Sequence, residues 1–150
     1  MFVTDLARAA EVLAAPAPEL ALIGRRHVRS NNSWLHNSQR LVKGKPRCTL
    51  MIHPRDAASR GIVDGAMVAV ASRVGRVEVP AEVTADIEPG VVSLPHGWGH
   101  GRPGVRLAVA TAHAGVSIND LVDDQRVDVL TGTAVLNGTP VVVEGLPTAG

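Results

Sequence analysis

Hydrophobic and polar positions along the chain predict short strands more often than helices. In residues 76–84, Val77, Val79, Ala81 and Val83 alternate with mostly charged residues, which is the period-two pattern of a strand with one buried face. Shorter apolar runs predict further strands at residues 20–23, 49–52, 67–71, 91–94 and 140–144. Because the strands are short and closely spaced, the pattern favours a small closed β-barrel.

Glycine, proline and polar residues mark the connections between these elements. Turns are predicted at residues 64–65, 72–75 and 88–90, and a glycine-rich loop at 95–104. Helical segments are predicted at residues 4–15, 54–61 and 118–122. The sequence therefore predicts a mainly β domain with a few short helices.

Length and composition favour a single domain with an aliphatic core. The chain has 150 residues and is 45% hydrophobic, with one phenylalanine, two tryptophans and no tyrosine, so valine, alanine, leucine and isoleucine must fill the core. We expect an N-terminal helix and a linker containing Pro16 and Pro18 at residues 1–19, the barrel at 20–146, and a tail at 147–150.

Cysteine usage and hydropathy limit the class of protein. Cys48 is the only cysteine, so an internal disulfide is excluded and a thiolate metal site is not indicated; the side chain is expected to be a small buried group. No apolar run approaches the length of a membrane span, and the N-terminus does not resemble a signal peptide. These features predict a soluble, cytoplasmic protein without a membrane partner.

Positive charge is concentrated in one stretch of an almost neutral chain. The net charge is +1, yet 8 of the 15 basic residues lie within residues 20–55, which contain no acid. Arginines beside serines and asparagines suit a polyphosphate, because guanidinium groups donate in pairs and neutral donors fix orientation. The alternative interpretation is a solvated basic loop that rests on an acidic partner.

Three segments contain the candidate ligand-binding residues. The first loop holds cations, small polar side chains and one indole, whose flat face suits a heterocycle. Its candidate residues are Arg25, Arg26, Arg29, Ser30, Asn31, Asn32, Ser33 and Trp34. The second loop comprises His96, Gly97, Trp98, Gly99 and His100. The third segment, at residues 117–121, contributes Asn119.

Alternative roles remain open for the second and third segments. The glycines let backbone approach a ligand closely, and Trp98 either stacks on that ligand or plugs the barrel end. His96 and His100 are four residues apart, but this spacing aligns metal ligands only on a helix, which the glycines oppose, so no metal site is predicted. Asn119 either bonds a heterocycle edge or caps the helical turn.

Taken in order, these three segments resemble the C-terminal molybdopterin guanine dinucleotide-binding domain of the dimethyl sulfoxide reductase family. Residues 62–70 and 131–141 also resemble that domain, so the resemblance covers about residues 20–145. It implies a double-psi β-barrel whose loops at one end close over the pterin and phosphates. The cofactor-binding residues that it implies are those of the three segments, together with Asn137.

The resemblance also implies what this chain lacks. In that family the protein ligand to molybdenum or tungsten, and any iron–sulfur cluster, come from preceding domains of several hundred residues. The cofactor would therefore be molybdopterin guanine dinucleotide, and the partners would be the remaining domains or subunit of an oxidoreductase. The chain would be a C-terminal domain or a separate piece, with no catalytic residue of its own.

Competing functions fit the sequence less well. A pyruvoyl-dependent decarboxylase needs a Gly-Ser pair, which is absent, and neither G-x-S-x-G nor a P-loop occurs. Nucleic-acid binding is disfavoured by near-neutral charge and few aromatics. The main alternative is a non-catalytic double-psi β-barrel interaction module that binds a protein partner, although such a module has no reason to place Trp98 and Asn119 beside the basic loop.

Overall fold

The computed structural model describes residues 2–14, 19–128 and 131–147, with some side chains of the first helix left out. The helices are α1 (Phe2–Ala14), α2 (Gln39–Val42), α3 (Pro54–Ala58) and α4 (Ala108–Ala112). The strands are β1 (Leu20–Arg25), β2 (Leu50–Ile52), β3 (Met67–Ala71), β4 (Arg76–Val83), β5 (Val91–Pro95) and β6 (Thr139–Gly145). A 3-10 turn, Ile118–Asp120, precedes β6.

The strands close into one barrel in the order β1-β5-β2-β4-β3-β6. β1 runs parallel to β5 and β2 runs parallel to β4, whereas the remaining neighbours are antiparallel. A closed, mainly β barrel with short helices confirms the predicted fold class. Since β1 and β5 are parallel, the loops that follow Arg25 and Pro95 leave the barrel at the same end.

Aliphatic side chains fill the barrel, as the composition predicts. In β4 the alternation is confirmed, because Val77, Val79 and Ala81 are buried while Arg76 and Glu78 are exposed. Full burial of one such valine, leucine or isoleucine contributes about 1.5–3 kcal/mol. The largest fully buried aliphatic side chains are Leu20, Leu22, Leu50, Ile52, Val68, Val70, Val79, Val92, Leu94, Ile118 and Leu121.

The predicted strands and turns are present, with ends that differ by one or two residues. The helical segments differ more: α1 begins at Phe2, α3 ends at Ala58, and the third segment is a 3-10 turn. The sequence did not predict α2 and α4, because helices of 4 and 5 residues are too short to show a periodicity. The predicted proline linker lies outside the described residues, and the domain boundaries stay a prediction. Among the helices described, none has the length and apolar character needed to cross a membrane.

Candidate functional site

The first loop leaves β1 as a series of tight turns. The amides of Ser30 and Asn31 donate to the His27 carbonyl at 2.9 and 3.3 Å, and Leu35 donates back to the Ser30 carbonyl at 3.1 Å. Asn31 and Asn32 adopt left-handed backbone angles, with φ of 42° and 60°. Asparagine tolerates this conformation better than most residues, so the two asparagines permit the reversal of the chain here.

The second loop lies directly on the first. Gly97 has φ +89°, and a Cβ on it would lie 2.1 Å from the Asn32 carbonyl oxygen and 2.8 Å from the Ser33 amide nitrogen. Only glycine can therefore occupy this position without displacing the first loop. The backbones of the two predicted binding loops are in contact at one end of the barrel.

His96 anchors the start of the second loop to the end of β1. Its amide donates to the Arg25 carbonyl at 3.0 Å. Its imidazole covers Gly24, where a Cβ would lie 2.0 Å from Nε2. Burial lowers the pKa of His96, with Arg26 a further cause, so the neutral ring is favoured beside the cationic loop.

The third segment packs against the second loop. A Cβ on Gly99 would lie 2.9 Å from the Ser117 Cβ, and the amides of Gly99 and His100 donate to the Ala114 carbonyl at 2.9 and 3.0 Å. Asn119 is exposed within the 3-10 turn, and Ser117 occupies the N-cap position. The structure does not give Asn119 the capping role, so its side chain is available at the edge of the loop cluster.

An open cleft of about 540 Å³ lies in the first loop. This volume falls within the range of about 300–1,000 Å³ typical of small-molecule sites. The residues that line it are Arg26, His27, Val28, Asn31, Asn32 and Leu35. Arg26 Nη1 donates to Asn32 Oδ1 at 2.6 Å, which holds the guanidinium over the cleft wall. Trp34 is 83% exposed, so its indole face is free for a heterocycle.

Cations around the cleft have no carboxylate partners among the described residues. The ion pairs of the described residues all lie away from the cleft: Arg60–Glu19, Arg73–Asp123, Arg76–Glu78 and Arg102–Asp120. Partial burial lowers the pKa of His27, and Arg47 and Arg29 lower it further. The first loop therefore carries concentrated positive charge that an anionic ligand would neutralise.

Arg25 differs from the other predicted ligands because its guanidinium is already occupied. It donates to the Ser93 carbonyl at 2.5 Å, the Thr49 carbonyl at 2.8 Å and Thr49 Oγ1 at 2.9 Å. Thr49 Oγ1 in turn donates to Glu82 Oε2 at 2.5 Å. Burial lowers the pKa of Arg25, although Glu82 opposes that shift. We interpret Arg25 as a structural connection between β1, β2 and β5, not as a phosphate ligand.

The remaining predicted ligands occupy different positions around the loops. Arg29 Nη2 donates to the Arg40 carbonyl at 3.2 Å. Asn137 Oδ1 accepts a hydrogen bond from the Gly24 amide at 2.9 Å, which joins the segment before β6 to β1.

Among the described residues, no group of three or more histidine, cysteine or acidic side chains is placed to hold a metal ion. Cys48 is half-buried, not fully buried, and its Sγ accepts from the Val116 amide at 3.3 Å.

Buried polar atoms beneath the loops test whether a phosphate-bearing ligand fits. Ser30 is 2% exposed, and its hydroxyl has no hydrogen-bond partner within the described part of the chain. An unsatisfied buried hydroxyl costs about 1–3 kcal/mol, so a ligand oxygen reaching it would recover that cost. The cleft and its unpaired cations fit a ligand rich in anionic oxygens, and the Ser30 hydroxyl, which does not line the cleft, is an unsatisfied group in the same loop.

Trp98 packs beneath the loops. It is 8% exposed, and its ring lies 3.9 Å from that of His36, which is fully buried. His36 Nδ1 lies 2.8 Å from His100 Nε2. Sequence reasoning missed His36, because its partner is 64 residues away and only the structure brings them together. Its burial against His36 supports a packing role for Trp98 among the loops, not stacking on a ligand.

His36 should make the stability of the domain depend on pH. Burial, then His100 and Arg47, lower its pKa from the usual 6.5 to about 4. In the unfolded chain His36 takes up a proton below about pH 6.5, whereas the buried ring stays neutral. The contribution of the buried ring to the free energy of unfolding is therefore complete above about pH 6.5 and is lost as pH falls toward 4. We expect the difference in melting temperature between the wild type and His36→Phe to shrink across this window. A difference independent of pH would contradict the assignment.

A known domain family matches most of this chain. The family model of the molydopterin dinucleotide binding domain matches residues 20–140. The chain belongs to this family. The match begins at β1 and ends near the start of β6, so it includes strands β1 to β5 and all three loop segments. The cofactor of this domain family is a molybdopterin dinucleotide, as the sequence predicts.

Parts of several known reductases are similar in sequence to this chain. The molybdopterin-containing subunit of arsenate respiratory reductase from Chrysiogenes arsenatis is 31% identical over 114 residues, which are 73% of this chain. Trimethylamine-N-oxide reductase from Haemophilus influenzae is 50% identical over 48 residues, which are 32% of the chain. Biotin sulfoxide reductase from Cereibacter sphaeroides is 36% identical over 85 residues, which are 55% of the chain.

These relatives are much longer than the domain. The chain spans between 6% and 13% of their length. Among solved structures, acetylene hydratase from Pelobacter acetylenicus has a TM-score of 0.72 at 20% identity, over 97% of this chain and 20% of that protein. This likeness shows that the barrel fold also occurs as one portion of a larger protein.

Proposed function

We propose that the cleft and loops of this domain bind the phosphates and nucleotide of molybdopterin guanine dinucleotide. Arg26 and Arg29 would supply charge to the diphosphate, and the hydroxyl of Ser30 would donate a hydrogen bond to it. The polar side chains of Asn31, Asn32 and Ser33 would add neutral hydrogen bonds. The observation that carries this proposal is the convergence of three loop segments beside unpaired cations and a buried hydroxyl.

Two further predicted ligands would contact the heterocycles of the cofactor. Trp34 would offer an indole face, and Asn119 would pair its amide with a ring edge. Gly97 and Gly99 would hold the second loop close to the first loop and the third segment, because those segments fill the space that a side chain would need. The bound cofactor would supply the redox-active molybdenum or tungsten.

We further propose that the chain acts as the C-terminal domain, or as a separate piece, of a molybdenum or tungsten oxidoreductase. Its share of the length of its relatives supports this, because the other domains of such a protein would have to provide the reacting groups. The partner would be those domains or that subunit. We also infer double-psi connectivity for the barrel, supported by the two parallel pairs β1–β5 and β2–β4.

Guanosine diphosphate should bind this chain weakly and at the loop end. We expect a dissociation constant between high micromolar and millimolar, or about 4–6 kcal/mol, because the probe is only part of the cofactor. In a titration followed by NMR, amides of residues 26–34 and 96–100 should shift first. Shifts confined to the β3–β6 surface around Val142 would contradict the proposed site.

Asn119→Leu separates recognition of a ring edge from phosphate binding. Because Asn119 is exposed and does not occupy the N-cap, the variant should keep the melting temperature of the wild type. Loss of the hydrogen bonds should weaken binding of the complete cofactor by about 1–3 kcal/mol, measured as cofactor retained by the assembled enzyme. A lower melting temperature with full cofactor content would assign Asn119 a structural role instead.

A further inference from the structure

Three aromatic rings form a cluster beneath the proposed site. His36 belongs to the end of the first loop, whereas Trp98 and His100 belong to the second. The ring centroids of His36 and Trp98 are 3.9 Å apart with an interplanar angle of 31°, and those of His36 and His100 are 5.1 Å apart in an edge-on arrangement. The direct connection is the 2.8 Å hydrogen bond between His36 Nδ1 and His100 Nε2.

The backbone just before the third segment also contacts this cluster. A Cβ on Gly115 would lie 3.0 Å from Trp98 Cε3, so the indole packs against the backbone there. The His100 amide donates to the Ala114 carbonyl at 3.0 Å. The cluster thus connects the first loop, through His36, with the second loop, and it packs against the backbone of Ala114 and Gly115.

We propose that His36 and His100, with Trp98 packed between the loops, are positioning residues that set the separation of the first and second loops for nucleotide binding. This inference rests on the proposed function. It assigns His100 a role different from that of a direct ligand, because its Nε2 is committed to His36. It also assigns a role to His36, which does not line the cleft.

The bond between the two rings needs one donor and one acceptor nitrogen. A neutral pair provides both, whereas two imidazolium rings would present only donors and repel each other. Burial favours the neutral form of both rings, because it lowers the pKa of each. The charged or titratable groups that face His36 are His100, Arg47 and His27, so its surroundings are cationic and also oppose protonation.

Paired substitutions distinguish positioning from direct contact. His36→Phe and His100→Phe each remove the hydrogen bond and keep a ring in the cluster, whereas His100→Gln places an amide where Nε2 lay and keeps the bond. His113→Gln, at an exposed position, is the matched control. Guanosine diphosphate affinity of the full chain and the melting temperature are measured for each variant and for the double Phe variant.

If the pair positions the loops, both Phe variants should bind guanosine diphosphate about tenfold more weakly, which corresponds to about 1.4 kcal/mol. The double variant should be no weaker than either single variant, and His100→Gln should restore binding. A loss confined to His100→Phe would identify His100 as a direct ligand and overturn the proposal. Unchanged affinity in both Phe variants would also overturn it.

A second measurement does not depend on the ligand. Hydrogen exchange reports the order of the loops through the amides of Leu35, in the first loop, and Gly99, in the second. Both should exchange faster in each Phe variant than in His100→Gln or the wild type. If the wild type fails to bind the probe, the proposed function fails for this chain. Faster exchange would then still support the positioning role, and unchanged exchange would refute it.

Discussion

Arg25→Met should destabilise the barrel by about 1.5–3 kcal/mol, which is the range for hydrogen bonds made by a charged group. The guanidinium of Arg25 satisfies the carbonyls of Ser93 and Thr49 and the Thr49 hydroxyl. A thioether cannot donate to any of them, and Glu82 would lose its nearby positive charge. Urea unfolding followed by circular dichroism measures the change. Arg25→Lys should recover only part of the loss, because one ammonium cannot reproduce the planar fork.

Arg26→Met is the matched control for this variant. Arg26 is the next residue, but its side chain is exposed and donates to Asn32 at the cleft. Its replacement should change the free energy of unfolding by less than about 0.5 kcal/mol. Affinity for guanosine diphosphate should fall about tenfold through loss of a charge-assisted hydrogen bond. The reverse pattern, with Arg25→Met stable but defective in binding, would show that Arg25 is a ligand.

Gly97→Ala should be the most disruptive single methyl that can be added to the second loop. A left-handed backbone angle costs an L-residue about 1–2 kcal/mol, and forcing a methyl into packed structure costs about 1–3 kcal/mol more. The added carbon would meet the Asn32 carbonyl and the Ser33 amide, which are backbone atoms and cannot rotate away. We therefore expect a loss of about 2–5 kcal/mol, or a first loop displaced enough to abolish detectable nucleotide binding.

Gly104→Ala isolates the contribution of that contact. Gly104 has φ +91°, nearly the angle of Gly97, but a Cβ there would meet nothing within 4 Å. This variant should lose only the stability that the left-handed backbone angle costs an alanine, about 1–2 kcal/mol, and should keep its affinity for guanosine diphosphate. If both alanine variants lost the same stability and the same affinity, contact between the loops would not be important for the site.

Local patterns were sufficient to predict the barrel strands. Strand alternation in β4 and the Gly and Pro turns are encoded in adjacent residues, so their positions follow from the sequence. The pairing order of the strands depends on contacts between distant segments, which periodicity does not contain. Short helices such as α2 were missed for the related reason that a single turn has no repeat to detect.

The sequence selected segments that are in contact in the structure, whereas the roles of the individual residues stay predictions. Composition and resemblance selected the three loops that the structure brings together. The sequence did not distinguish Arg25 from Arg26, because their difference arises from Thr49, just before β2, and Ser93 in β5. Nor did it identify His36, whose importance depends on a partner in the second loop. A role that depends on contacts between remote segments can be assigned only from the folded structure.

The positions of the two tryptophans give the chain an intrinsic optical reporter. It has no tyrosine and a single phenylalanine, so nearly all of its near-ultraviolet absorption and fluorescence comes from Trp34 and Trp98. Trp34 is exposed on the first loop, and Trp98 is buried against His36 beneath the second. The emission spectrum should therefore combine a water-exposed and a shielded indole. Because neither lies in a barrel strand, changes in that spectrum would follow the loops and not the aliphatic core.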